Sequence, residues 1–159
     1  MEWLWLVLGL LVLGGIGAVI YWRPLRLFSQ EIQSERAREL FQLQRERLEQ
    51  MFFSAASVSG KPRGLRWKQC LFDGNLELAR DRQSKQIIAL LPVTISFEAI
   101  EGSDMEHVEA VSNLRNASAV FFLERGQWQT TGKAVFNLNP DEALVHFKNQ
   151  YERIASHEQ

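Results

Sequence analysis

The stretch Phe97 to Arg115, FEAIEGSDMEHVEAVSNLR, collects the densest set of reactive side chains in the sequence: Glu98, Glu101, Asp104, Glu106 and His107, with Glu109 just beyond. Carboxylates beside an imidazole are the residue types that hold a divalent cation, or that serve as general acid and base when two of them approach one substrate. Their spacing follows neither the calcium-loop pattern nor a two-histidine metal helix. Ser103 followed by Glu106 reads as a capping box opening a short helix, with Asp104 at its positive end. A solvated helix start is the expectation for this stretch, with a metal or catalytic site as the alternative. No resident metal or cofactor is implied.

Cys70 is the only cysteine, so no intramolecular disulfide forms, in keeping with a reducing compartment. With His146 it would make a nucleophile and base, but its place in an alternating segment predicts a packed thiol instead. His107, His146 and His157 are far apart along the chain, and no G-x-S-x-G elbow is present. Lys61 to Lys68, KPRGLRWK, is basic with one aromatic. It suits either an anionic surface or a strand edge protected by charge. Trp67, Phe97, Trp128 and Phe136 would line a small-molecule pocket if a curved sheet and its helices enclosed one.

These residues need elements to carry them. From Ser29 to Ser57 the chain is rich in Glu, Gln, Arg and Leu without Pro or Gly, which predicts a helix. Ala37, Phe41, Leu48, Phe52 and Ala55 fall on one face, beside Leu40 and Met51, and Gln44 interrupts any heptad seam. The stripe is expected to pack on its own domain. Ser57 to Gly64 reads as a loop. Leu65–Leu71 and Leu76–Ala79 alternate about Asp73-Gly74-Asn75, which predicts a hairpin. Gln86 to Glu101 is a long half-buried strand by period, with Pro92 implying an edge, a bulge or a break. Ala117–Glu124 and Gln127–Leu138 form a hairpin about Arg125-Gly126. Asn139-Pro140-Asp141-Glu142 then starts a helix carrying Ala143, Leu144, Phe147, Tyr151 and Ile154.

The expected fold class is α+β: a single transmembrane helix, an amphipathic helix, a four- to five-stranded antiparallel sheet and a C-terminal helix. The order of elements resembles the cystatin-like and nuclear-transport-factor-like layouts in architecture alone, with no motif from either family, and a layout does not carry function.

The anchor is Trp3 to Trp22, WLWLVLGLLVLGGIGAVIYW, free of charge. Roughly 20 helical residues at about 1.5 Å each match a hydrocarbon core of about 30 Å. Trp3, Trp5, Tyr21 and Trp22 place amphipathic rings at both headgroup zones, and Arg23 and Arg26 put the following domain on the cytoplasmic side. The flanks lack a signal-peptide cleavage pattern, so a permanent signal anchor in the cell membrane is expected. Gly14 and Ala18 form a small-xxx-small pair suited to a homodimer.

The expected divisions are 1–24 for the anchor, 25–57 for the juxtamembrane helix, 58–64 for a loop and 65–159 for the sheet and last helix, joined with the preceding helix in one soluble domain. Across 159 residues, 18 Lys and Arg against 19 Asp and Glu give a net charge of -1, and no nucleic-acid partner is expected. The functional expectation is a noncatalytic interaction or scaffold module on a lipid bilayer, meeting a membrane-associated protein partner. A small-molecule-binding or enzymatic domain is the alternative.

Overall fold

The computed structural model describes Trp3, residues 31–59 and residues 63–155. The chain divides into two compact units, Met1–Arg36 and Ala37–Gln159. In the first, residues 31–36 are helical and the Ser34 hydroxyl donates to the Glu31 carbonyl at 2.8 Å. Trp3 is exposed. Among the described residues no helix is long and apolar enough to cross a membrane. Apart from Trp3, the expected span lies outside the described residues, including Trp5, Gly14, Ala18, Tyr21, Trp22, Arg23 and Arg26.

The second unit opens with helical residues 37–43 (α1), a turn at Gln44 and the helix Arg45–Ser59 (α2). At the turn the Gln44 N–H donates to the Phe41 carbonyl at 3.1 Å, and the four-residue ladder resumes with Leu48 N–H to the Gln44 carbonyl at 3.0 Å. Ala37, Phe41, Leu48, Phe52 and Ala56 form the buried stripe. Ala56 replaces the expected Ala55, because four residues beyond Phe52 keeps to the sheet-facing side. The helix also runs two residues further than expected. Ser57 and Ser59 return their hydroxyls to the Phe53 and Ala55 carbonyls, at 2.6 and 2.8 Å, instead of opening a loop.

Seven antiparallel strands form one sheet: β1 Leu65–Phe72, β2 Glu77–Asp81, β3 Ile87–Ala99, β4 Arg115–Glu124, β5 Gln127–Gln129, β6 Ala134–Phe136 and β7 Tyr151–Arg153. The order is β5-β4-β3-β2-β7, with β1 also on β3 and β6 also on β4. Two long central strands are thus flanked by interrupted ones, which accounts for seven strands where four or five were expected.

The first interruption corrects the expected hairpin of β1 and β2. Both pair with β3 and not with each other: Phe72 lies opposite Val93, and Glu77 opposite Leu90. Pro92 of β3 has no N–H to offer at the gap, and its carbonyl accepts from the Asp73 N–H at 3.4 Å. Pro92 therefore breaks its neighbour and leaves β3 continuous. The second interruption splits the expected Gln127–Leu138 strand into β5 and β6. There Gly132, at φ +75°, sits so close to α2 that an added Cβ would lie 2.3 Å from the Ala56 nitrogen. Only a residue without a side chain lets helix and strand approach this closely.

The last helix is also shorter than its sequence pattern predicts. α3 covers Pro140–His146, capped reciprocally by Asn139 and Glu142: the Glu142 N–H donates to Asn139 at 2.9 Å, and the Asn139 N–H to Glu142 at 3.0 Å. After Phe147 the chain turns, and Tyr151 enters β7 opposite Asp81. Tyr151 and Ile154 thus leave the helix, and pairing with β2 supplies backbone partners that a longer helix would have had to find internally.

The helices cover the sheet unequally. On one face Phe41, Leu48 and Phe52 pack with Trp67, Leu91, Ile95, Phe121 and Trp128. On the other, Ala143 and Leu144 of α3 meet Ala79, Ile88, Leu90, Val120 and Tyr151. β3 records the difference: residues 87–91 are all buried, whereas beyond Pro92 only Val93, Ile95 and Phe97 are. Each large apolar side chain removed from water in this way contributes roughly 1.5–3 kcal/mol.

Candidate functional site

The singly covered end of the sheet carries residues 100–114, the connection between β3 and β4. Its opening is tied down at Gly64, whose carbonyl accepts the Ile100 N–H at 2.9 Å and the Ser103 hydroxyl at 3.1 Å. The loop presses on this glycine, with Met105 Cγ 3.0 Å from where a Cβ would stand. The Ser103 and Glu106 pair does not open the expected helix. Glu106 accepts from the Gly102 N–H at 2.9 Å and Ser103 from the Met105 N–H at 3.3 Å, which closes a series of turns. A single 3₁₀ helix, Glu109–Ser112, follows.

The acidic residues lie at the surface, with Glu98 half-buried. Glu98 lies on the open sheet face, paired with Arg66 at 2.6 Å. Glu101, Asp104 and His107 are exposed, and Glu106 is occupied in its turn. Among the described residues, no three of His, Cys, Asp and Glu gather as metal ligands would. Cys70 and His146 sit on opposite faces of the sheet, Cys70 packed toward α2 and His146 exposed on α3. Burial pushes the Cys70 thiol up to about 12, so it is a poor nucleophile at neutral pH.

The four aromatics separate into two roles. Trp128 is buried in the core, its indole N–H donating to the Ala37 carbonyl at 2.9 Å and its ring edge-on to Phe41 at 5.2 Å. Trp67 is buried between Phe52 and Phe97, with ring centroids at 6.3 and 5.1 Å. Phe97 and Phe136, 6.4 Å apart, face a cavity of about 320 Å³ beneath the loop. The sheet face itself is filled by α1 and α2, and the cavity opens beside that packing, at the end of the sheet.

Leu65, Met105, Val108 and Val111 complete most of the apolar wall, and Arg115 is its only charged residue. Met105, Val108 and Val111 recur at three-residue spacing, so successive tight turns bring them to one side. That spacing was the available signal for the cavity, hidden among the carboxylates that separate it. Arg115 opens β4, and Asn137 stands next to it across the sheet, its N–H donating to the Asn116 carbonyl at 2.8 Å with φ at +59°. Neither the Arg115 guanidinium nor the Asn137 amide is held by another described side chain or carbonyl. Around the same end, Ile100, Val108, Leu114 and Phe136 are exposed at 45, 40, 63 and 42%.

No family model, curated protein or solved structure matches the chain.

Proposed function

We propose that this chain is a single-pass, membrane-anchored protein whose second unit is a noncatalytic recognition module facing the cytoplasm, with its open sheet end as the contact surface. The uncharged Trp3–Trp22 run supports the anchor, and Arg23 and Arg26 support the direction. The observation that carries the recognition reading is that exposed Val108 and Phe136 line one cavity, while exposed Ile100 and Leu114 stand at the two ends of the loop that helps form it. Contiguous exposed apolar surface on an otherwise well-satisfied domain marks a contact site. No buried side-chain nitrogen or oxygen lacks a hydrogen-bond partner among the described residues, so the polar core is committed to structure.

The chain enters the unit at Ala37, bound to Trp128 opposite Leu123 near the far end of β4, whereas the cavity lies at Arg115. Eight strand residues separate the two by roughly 25 Å. The proposed occupant of the contact surface is a membrane-associated protein partner. A photocrosslinking residue at Leu114, with one at exposed Val145 as control, tests this in native membranes. A discrete adduct at Leu114 alone is expected, with the chain resisting alkaline extraction. Identical adducts at both positions, or release by alkali, would overturn the proposal.

A further inference from the structure

The geometry points to a ligand for the cavity: we infer that it takes a small monoanionic amphiphile, a carboxylate on a short apolar tail, with Arg115 as the counter-ion. This inference rests on the open end being a recognition surface and names the chemistry of what enters it. Three features of the wall support it. The lining of Leu65, Phe97, Met105, Val111 and Phe136 offers a tail no polar partner and no competing charge. Arg115 and Asn137 both line the cavity, and neither side chain is engaged by another described group, although the Asn137 backbone N–H donates to the Asn116 carbonyl. A guanidinium fork matches a carboxylate through two parallel hydrogen bonds, and an adjacent amide adds a third.

Volume sets the size of the occupant. At the roughly 30 Å³ share of liquid volume that one water molecule takes, about 320 Å³ is the space of about ten waters, which sets the scale of the occupant near ten non-hydrogen atoms. An eight-carbon fatty acid has that size, and a two-chain phospholipid is several times too large. A neutral amphiphile would fill the apolar wall and leave the guanidinium unmatched. A cationic one would set like charges together at the mouth.

Equilibrium dialysis of radiolabelled octanoate against the full chain in lipid nanodiscs tests this, with empty nanodiscs subtracting partition into lipid. Saturable binding at one site is expected. Arg115→Gln should weaken octanoate at least tenfold, the scale of a lost charge-assisted hydrogen bond, while leaving 1-octanol binding unchanged. Val111→Trp, which fills the cavity, should abolish both. Arg115 is exposed, so its replacement leaves the core intact, and unchanged tryptophan emission confirms folding. Octanoate uptake no greater than that of empty nanodiscs overturns the inference, as does an Arg115→Gln variant that binds octanoate normally, or octylammonium binding as tightly as octanoate. Octanoate binding that persists when the Leu114 crosslink is absent would remove the protein-recognition reading and leave this one standing.

Discussion

Gly132→Ala should be the most damaging single-methyl change in the second unit, and Gly126→Ala supplies its control. Both glycines have positive φ, +75° and +77°, so both substitutions meet the same left-handed strain. That strain costs about 1–2 kcal/mol for an L-residue. They differ in what the new methyl meets. At Gly126 nothing lies within 4 Å, whereas at Gly132 the Ala56 nitrogen is at 2.3 Å and the Ala55 carbonyl carbon at 2.6 Å. These are backbone atoms and cannot swing aside, so α2 must lift from the sheet over Phe52. Overpacking of this kind costs about 1–3 kcal/mol more. For a unit of this size, where 1 kcal/mol shifts the midpoint by about 4 °C, Gly132→Ala should lower Tm by roughly 15 °C and Gly126→Ala by roughly 5 °C. Thermal unfolding followed by tryptophan fluorescence reads both. A Gly132→Ala midpoint within about 3 °C of the Gly126→Ala midpoint would show that the close approach of helix and strand is not as described.

Two further outcomes follow from the core. Trp128→Phe keeps a ring against Phe41 but deletes the indole N–H that reaches the Ala37 carbonyl, so the urea midpoint should fall by an equivalent of about 2 kcal/mol with an unchanged slope. A loss below about 0.5 kcal/mol would mean that this bond does not tie α1 to the sheet. Cys70 should alkylate at pH 8 two to three orders of magnitude more slowly in the folded chain than in urea, roughly the ratio of thiolate populations when burial raises the thiol from 9.0 to about 12. Because the folded pKa is the higher one, the associated stability is complete below pH 9 and is lost as pH climbs toward 12. Equal alkylation rates folded and unfolded would refute the burial of the thiol.

Elements whose signals are local were legible in the sequence. The Asn139 cap, the Arg125-Gly126 turn and the period-two run of β3 each depend on residues within a few positions of one another, and each is present. What escaped depends on distant partners. Asp73-Gly74-Asn75 has ordinary turn chemistry, but whether the chain reverses there is decided by Pro92, which keeps β1 and β2 on one edge of β3. Tyr151 continues a helical spacing from Phe147, but its backbone is claimed by β2. The approach of Gly132 to α2 joins positions more than seventy apart in sequence and has no local signature. The site divides in the same way. Phe97 and Phe136 line the cavity under the loop, which is not the pocket expected between sheet and helices, and Trp67 and Trp128 lie in the core. The carboxylates drew notice by chemistry, and the apolar residues between them form the wall.

The two strand interruptions lie nearly level with each other. Pro92 pairs with Ser118, and the Val120 N–H donates to the Lys133 carbonyl at 3.0 Å, so both flanks are cut within two residues of one line across β4. Along that line only the β3–β4 ladder is continuous. The sheet therefore has a crease, with a doubly covered plate under α3 on one side and a plate bearing the cavity on the other. Two strands, β3 and β4, therefore carry the connection between the part of the sheet that packs on α3 and the part that holds the cavity.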